Sequence, residues 1–181
     1  MAKLISKTYG DALLEIAKEE NKLDLFAEEI TELQDIFKDN PEFGRLMVNP
    51  RISVEDKLDV LKNVFDGKIS KELMGFFSMI ISKSRYDHID EILTYFTAEV
   101  KRIKGIGVAY VVTPLPLKDD QKNVIERKLL ATTSYKQMEM HYEVDEELIG
   151  GMRIRIGDRV VDSSIQTKII KMQQDMMKIM V

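Results

Sequence analysis

The sequence predicts an α+β protein: an N-terminal bundle of six helices followed by a small α/β unit. Three observations carry this reading. Apolar residues recur at steps of three and four through the first hundred residues, the spacing of one helix face. The period changes after Gly105-Ile106-Gly107, where Val108-Ala109-Tyr110-Val111-Val112-Thr113 forms a β-branched and aromatic run. The charge changes at the same point: residues 1–105 carry 16 basic and 20 acidic side chains, residues 106–181 carry 11 of each. The domains are therefore read as 1–105 and 106–181.

In the first helix, Ile5, Tyr9, Ala12, Leu13 and Ile16 form the stripe, which Asn21 and Lys22 interrupt. Phe26, Ile30, Leu33 and Phe37 mark a second helix, with Asp24 as its expected N-cap. Asp39-Asn40-Pro41 stops it, and a short apolar segment runs to Asn49-Pro50. Ser53, three residues before Asp56, opens a fourth helix through Leu58, Leu61 and Phe65 to Gly67. Ser70 opens a fifth. There Leu73, Met74, Phe76, Phe77, Met79, Ile80 and Ile81 leave almost no polar face, as in a central core helix or one offering its outer side to a partner. Asp87 and Asp90 are expected to cap a sixth, bearing Ile89, Leu93, Phe96, Val100 and Ile103.

The run 108–113 reads as a buried strand, ended by Pro114 and Pro116. Residues 119 to about 133 form a helix with Val124, Ile125, Leu129 and Leu130 inward. Met138, Met140, Tyr142 and Val144 alternate with Glu139, His141 and Glu143 in a half-buried strand whose polar side is solvated. Met152, Ile154 and Ile156 alternate with Arg153 and Arg155 in another. Gly157-Asp158 suits a two-residue type II′ turn into Arg159-Val160-Val161. Asp162, Ser163 or Ser164 caps a last helix with the stripe Ile165, Ile169, Met172, Met176 and Met180.

Composition limits the chemistry. The 181 residues are 44% hydrophobic and 32% charged, which fits a folded globular chain, and cysteine is absent, which excludes disulfides and thiol catalysis. A net charge of −4, with 5 basic against 10 acidic side chains in the first 40 residues, argues against nucleic-acid binding. No run of 18 apolar residues inserts into a membrane, and the N-terminus lacks a secretion or transit signal, so the chain is expected to stay where it is made. Gly105 and Gly107 precede a strand and have Tyr110 where a third glycine belongs; Gly150-Gly151 has no following Lys-Ser/Thr. Both read as tight bends or bulges. His88 sits among Asp87, Asp90 and Glu91, which first-turn acids explain more simply than a metal, and His141 stands apart on a strand. The acid pairs Glu19-Glu20, Glu28-Glu29 and Glu146-Glu147 lie on solvent faces or turns. No cofactor site and no catalytic constellation emerges.

Two features point to protein partners. The fifth helix is over-apolar, and Tyr9 beside Ala12 on the first helix is the large-next-to-small pattern that accepts a partner helix. Seven of the eleven methionines fall between residues 138 and 180, and methionine fills irregular cores or lines adaptable surfaces.

The segments together resemble the delta subunit family of bacterial F-type ATP synthases, which includes the mitochondrial oligomycin-sensitivity-conferring protein. Tyr9-Gly10-Asp11-Ala12-Leu13 is similar to the family's Tyr-Ala-x-Ala-Leu start, with Gly10 where alanine is usual. Asn49-Pro50 followed by Lys57 resembles the family's passage from third to fourth helix. Leu148-Ile149-Gly150-Gly151 through Arg155-Ile156-Gly157-Asp158 to Asp162-Ser163-Ser164 matches its C-terminal signature, with Ser163 in place of a glycine. The resemblance implies a non-catalytic stator subunit without cofactor, one copy per complex, on the cytoplasmic side of the cell membrane. It also implies that the bundle binds the N-terminal helix of an alpha subunit between its first and fifth helices. Tyr9, Ala12, Leu13, Phe76, Met79 and Ile80 are the candidates there, with groove and core members not yet separated. The C-terminal domain would hold the b subunits of the peripheral stalk. The competing expectation is a helical scaffold of some other assembly.

Overall fold

The computed structural model describes residues 2–179, and Met180, the last residue expected in the final stripe, lies outside them. The chain divides between Val100 and Lys101 into two compact units. The elements preceding the sheet are α1 (Ala2–Glu19), α2 (Leu23–Asp39), α3 (Pro41–Val48), α4 (Val54–Phe65), α5 (Lys71–Ser82), a single 3₁₀ turn (Tyr86–His88) and α6 (Ile89–Lys104). Then come β1 (Ile106–Thr113), α7 (Asp119–Thr132), β2 (Gln137–Val144), β3 (Arg153–Ile156), β4 (Arg159–Asp162) and α8 (Ile165–Ile179).

Local signals set most boundaries. Pro41 at the first position of α3 has no N–H to lose, so it starts one helix while ending another. Ser53 caps α4 by accepting from the Asp56 amide at 3.1 Å. Ser70 precedes α5, yet its hydroxyl donates to Glu29 on α2 at 2.8 Å, and its amide donates to the same carboxylate. Thus a side chain distant in sequence anchors the start of α5. Two expected caps are corrected. Asp24 lies inside the first turn of α2, because Asn21 turns the chain with φ 53° and puts Lys22 at the cap position. Asp87 lies in the 3₁₀ turn, before α6 begins.

The helical core gathers Leu13, Leu14 and Ala17 of α1, Phe26, Ile30 and Leu33 of α2, and Phe76, Phe77, Ile80 and Ile81 of α5. Leu93, Phe96 and Val100 complete it from α6. Beside them rings interlock: Phe37 stacks on Phe43 at 5.6 Å and meets Phe77 edge-on at 6.0 Å, and Phe65 meets Phe43 edge-on at 5.6 Å. Tyr86 closes this cluster, and burial pushes its phenol well above the ordinary range.

The sheet order is β2-β1-β3-β4. β1 runs parallel to β2 through the α7 crossover, and β3 is antiparallel to both β1 and β4. Strand β1 was expected to be buried throughout. Instead one face, Gly107, Ala109, Val111 and Thr113, is buried while Tyr110 on the other stays 42% exposed. On α7 only Ile125 is fully inward; Val124, expected inside, is exposed. The two-residue turn holds: Ile156 pairs with Arg159, and Gly157 takes φ 55°, as the first position of a type II′ turn requires.

Candidate partner-binding surfaces

Helix α1 buries Ser6, Gly10, Leu13, Leu14 and Ala17, and sets Ile5, Tyr9 and Ile16 half-buried along the edge of that stripe. With exposed Ala12, those three lie at steps of four, three and four, the spacing of one helix face. Helix α5 buries Leu73, Phe76, Phe77, Ile80 and Ile81 and turns Lys71, Gly75, Met79 and Ser82 outward.

The six candidates therefore separate. Leu13 and Ile80 are wholly buried and Phe76 nearly so; all three belong to the core cluster and have no surface to offer a partner. Tyr9 packs against that core from its rim. Ala12 is exposed, and Met79 is 38% exposed. Periodicity could not divide them, because an apolar helix pattern does not say which of its apolar sides the rest of the fold covers.

Gly75 is the residue that pattern reading missed. A methyl group built there meets nothing within 4 Å. A mid-helix glycine costs about 1 kcal/mol relative to alanine, and packing within the chain gives no reason for it. Its position inside the most apolar helix was the available signal. Gly10 is different: a Cβ there would run into the Tyr95 ring, whose hydroxyl donates to Asp11 at 2.8 Å. Tyr95 thus occupies the space that the family's usual alanine would fill.

In the second unit the signature residues build the junction between hairpin and last helix. Gly151 has φ 86°, and a Cβ there would lie 2.5 Å from the Ser163 carbonyl oxygen and 2.9 Å from Ser164 Cα. A Cβ on Gly150 would strike the Ile165 side chain at 2.6 Å. Of the three possible caps, Ser164 is the one used: it is fully buried, and its hydroxyl accepts from the Thr167 amide at 3.2 Å. Asp162 accepts from the Ser164 amide at 2.8 Å and pairs with Arg153 at 3.2 Å. Its hydrogen bonds with Ser164 hold its carboxyl well below the usual range. Ser163 has no left-handed φ, so the replacement of the family's glycine costs no backbone strain. Asp158 is exposed at the turn.

On the sheet's other face a row crosses three strands. The Arg155 guanidinium lies 4.7 Å from the Tyr110 ring centroid, and His141 stacks on that ring at 4.9 Å. His141, expected to be merely solvated, therefore packs on Tyr110 and bonds Glu139 at 2.9 Å. Lys101, 2.6 Å from Glu139, lowers that carboxyl's pKa. His88 lies 3.8 Å from Asp87 and 3.7 Å from Glu91, and no cluster of three metal-ligating side chains exists among the described residues.

Comparison with known proteins gives the family. The profile of the ATP synthase delta (OSCP) subunit family matches residues 5–176. The chain belongs to that family. It is 45% identical to ATP synthase subunit delta of Lachnoclostridium phytofermentans, over 99% of this chain and 98% of that one. Identity to the subunit delta of Alkaliphilus oremlandii is 31% over the full length of both, and to that of Bacillus thuringiensis 30% over 97% of both. The fold is shared with a chain of the Toxoplasma gondii mitochondrial ATP synthase hexamer, at a TM-score of 0.77 and 20% identity, covering 95% of this chain and 97% of that one. A delta subunit is a peripheral-stalk component of F-type ATP synthase, linking the catalytic head to the membrane part, and is structural in role. That displaces the expectation of an unrelated scaffold. The complex is membrane-associated, while no described helix of this chain is long and apolar enough to cross a membrane.

Proposed function

We propose that the six helices of the first unit act as one bundle whose α1 and α5 grip the amphipathic N-terminal helix of an alpha subunit. Ile5, Tyr9, Ala12 and Ile16 line one side, and Gly75 and Met79 the other. The second unit holds the ends of the b subunits, and one copy serves each complex on the cytoplasmic side of the membrane. The observation that carries the first assignment is Gly75 in open space on an outward ridge with Met79. A glycine lets a partner backbone approach closely, and an adjacent methionine adapts to its side chains.

Such a grip draws affinity from apolar burial, at about 25 cal/mol per Å² less the ordering cost of the partner. It therefore favours slow dissociation over unusual association speed. The test is calorimetric titration of the full chain with a peptide copying the alpha subunit's N-terminal helix. One-to-one saturable binding with negative heat-capacity change, lost on Gly75→Leu and retained on Val64→Leu, supports the assignment. Binding that survives Gly75→Leu unchanged moves the site off α5.

A further inference from the structure

We propose that α8 is a strap that, in the unassembled subunit, closes over the uncovered half of the sheet. The argument starts from layer geometry. Strands lie about 4.8 Å apart and packed helices about 8–10 Å apart, so one helix covers roughly two strands. Four strands need two helices on a buried face. This sheet has one. Helix α7 covers the β1–β2 half, where Tyr142 of β2 reaches the Lys122 carbonyl on α7 at 3.4 Å.

A single row of paired residues shows the consequence. Tyr142, Val111, Ile154 and Val161 are cross-strand partners on one face, in the order β2, β1, β3, β4. Val111 is completely buried, Tyr142 and Ile154 are half-buried, and Val161 at the far end is 61% exposed. Two adjoining cavities of about 450 and 660 Å³ lie along this edge, with Leu117, Val124, Leu129, Met152, Ile154 and Val161 among their walls and, among the described residues, none from α8.

The missing second helix is attached two residues away. Helix α8 follows β4 after Ser163 and Ser164, and its stripe of Ile165, Ile169, Met172 and Met176 is exposed along its described length. From Ile165 to Met176 is about 16 Å at 1.5 Å per residue, enough to span the about 13 Å of a four-residue strand pair at about 3.3 Å each. Direction also fits. The α7 crossover returns antiparallel to β1, and a short βα turn after β4 would lay α8 beside it in the same direction, on the face of Val161. Closing turns α8 about Ser163–Ser164, which gives up the Ile165 amide's 2.9 Å bond to the Gly150 carbonyl and leaves the Ser164–Thr167 cap intact. The strap would give the free subunit a covered apolar face until assembly supplies another cover. This does not depend on which stalk segment the second unit holds.

Neighbouring residues on opposite faces of β4 provide the test. The chain contains no cysteine, so paired substitutions react without background. Val161→Cys with Ile169→Cys places thiols across the proposed closure, and Val160→Cys with Ile169→Cys places them on the wrong face at nearly the same chain separation. Val160 and Val161 are both exposed, and circular dichroism of the reduced proteins checks their folding. Under mild oxidation of the full chain, the first pair should close within the monomer and the second should not, since a disulfide needs Cα atoms within about 7 Å. Equal closure of both pairs, closure of neither, or disulfide-linked dimers alone would overturn the strap: the helix would be unconstrained, held away, or paired with a second copy.

Discussion

Truncating Leu13 should cost stability, whereas charging its neighbour Ala12 or truncating Met79 should cost binding. Leu13 is fully buried in the helical core. Leu13→Ala removes three carbon groups worth about 0.8 kcal/mol each, and the unfilled cavity raises the total to about 3–4 kcal/mol. With a urea dependence near 2 kcal/mol/M, the unfolding midpoint of the helical unit falls by roughly 1.5–2 M. Met79 already exposes 38% of its surface, so Met79→Ala should lose less than about 1 kcal/mol. The assay pairs urea unfolding, followed by helical circular dichroism, with titration by the alpha-subunit peptide. Leu13→Ala with an unmoved midpoint and abolished binding would refute the division of α1 into core and contact residues. So would a Met79→Ala variant as unstable as Leu13→Ala.

Other outcomes follow from the same geometry. Gly151→Ala should destabilise the second unit by about 1–3 kcal/mol, because it combines a left-handed φ with a backbone contact at 2.5 Å, and thermal melting with α8 helicity reads both effects. Gly10→Ala should cost less in a Tyr95→Leu background than alone, and a double-mutant cycle by urea unfolding gives the sign. Asp162 has a folded pKa below its ordinary value of 3.8, so the stability it confers is present above that value and lost as pH falls through the folded pKa. The second unit's melting temperature should therefore drop less steeply on acidification in Asp162→Asn than in the parent, as scanning calorimetry from about pH 5 down through the ordinary value of 3.8 would show.

Much of this fold is legible in residue order because its signals are local. Pro41, Ser53 and Gly157-Asp158 each dictate a boundary through their own backbone chemistry. The misses were tertiary. Asp24 looked like a cap until Asn21 turned the chain one step earlier, and Ser70 is anchored by Glu29, 41 residues away. The outward faces of α1 and α5 were half legible for the same reason. Tyr9 and Met79 could be nominated by type, but Leu13 and Ile80 have the same type and differ only in what lies over them. Gly75 could have been suspected as a glycine with no turn to make. The row of Arg155, Tyr110 and His141 required strand order and register, which alternation alone does not give.

The joint between α6 and β1 has a mechanical meaning for a subunit that resists rotation. Helix α6 crosses from one compact unit into the other and enters β1 through a single residue, Gly105, whose carbonyl accepts from the Lys136 amide at 2.8 Å. Tension that acts along β1's own length would load its ladder. β1 is an interior strand, bonded to β2 on one side and β3 on the other, and its ladder bonds lie across the pull. They are strained together in shear instead of being peeled one at a time, so the sheet yields only when the whole ladder gives way. An edge strand in that position, β4 for instance, would have unzipped from its end.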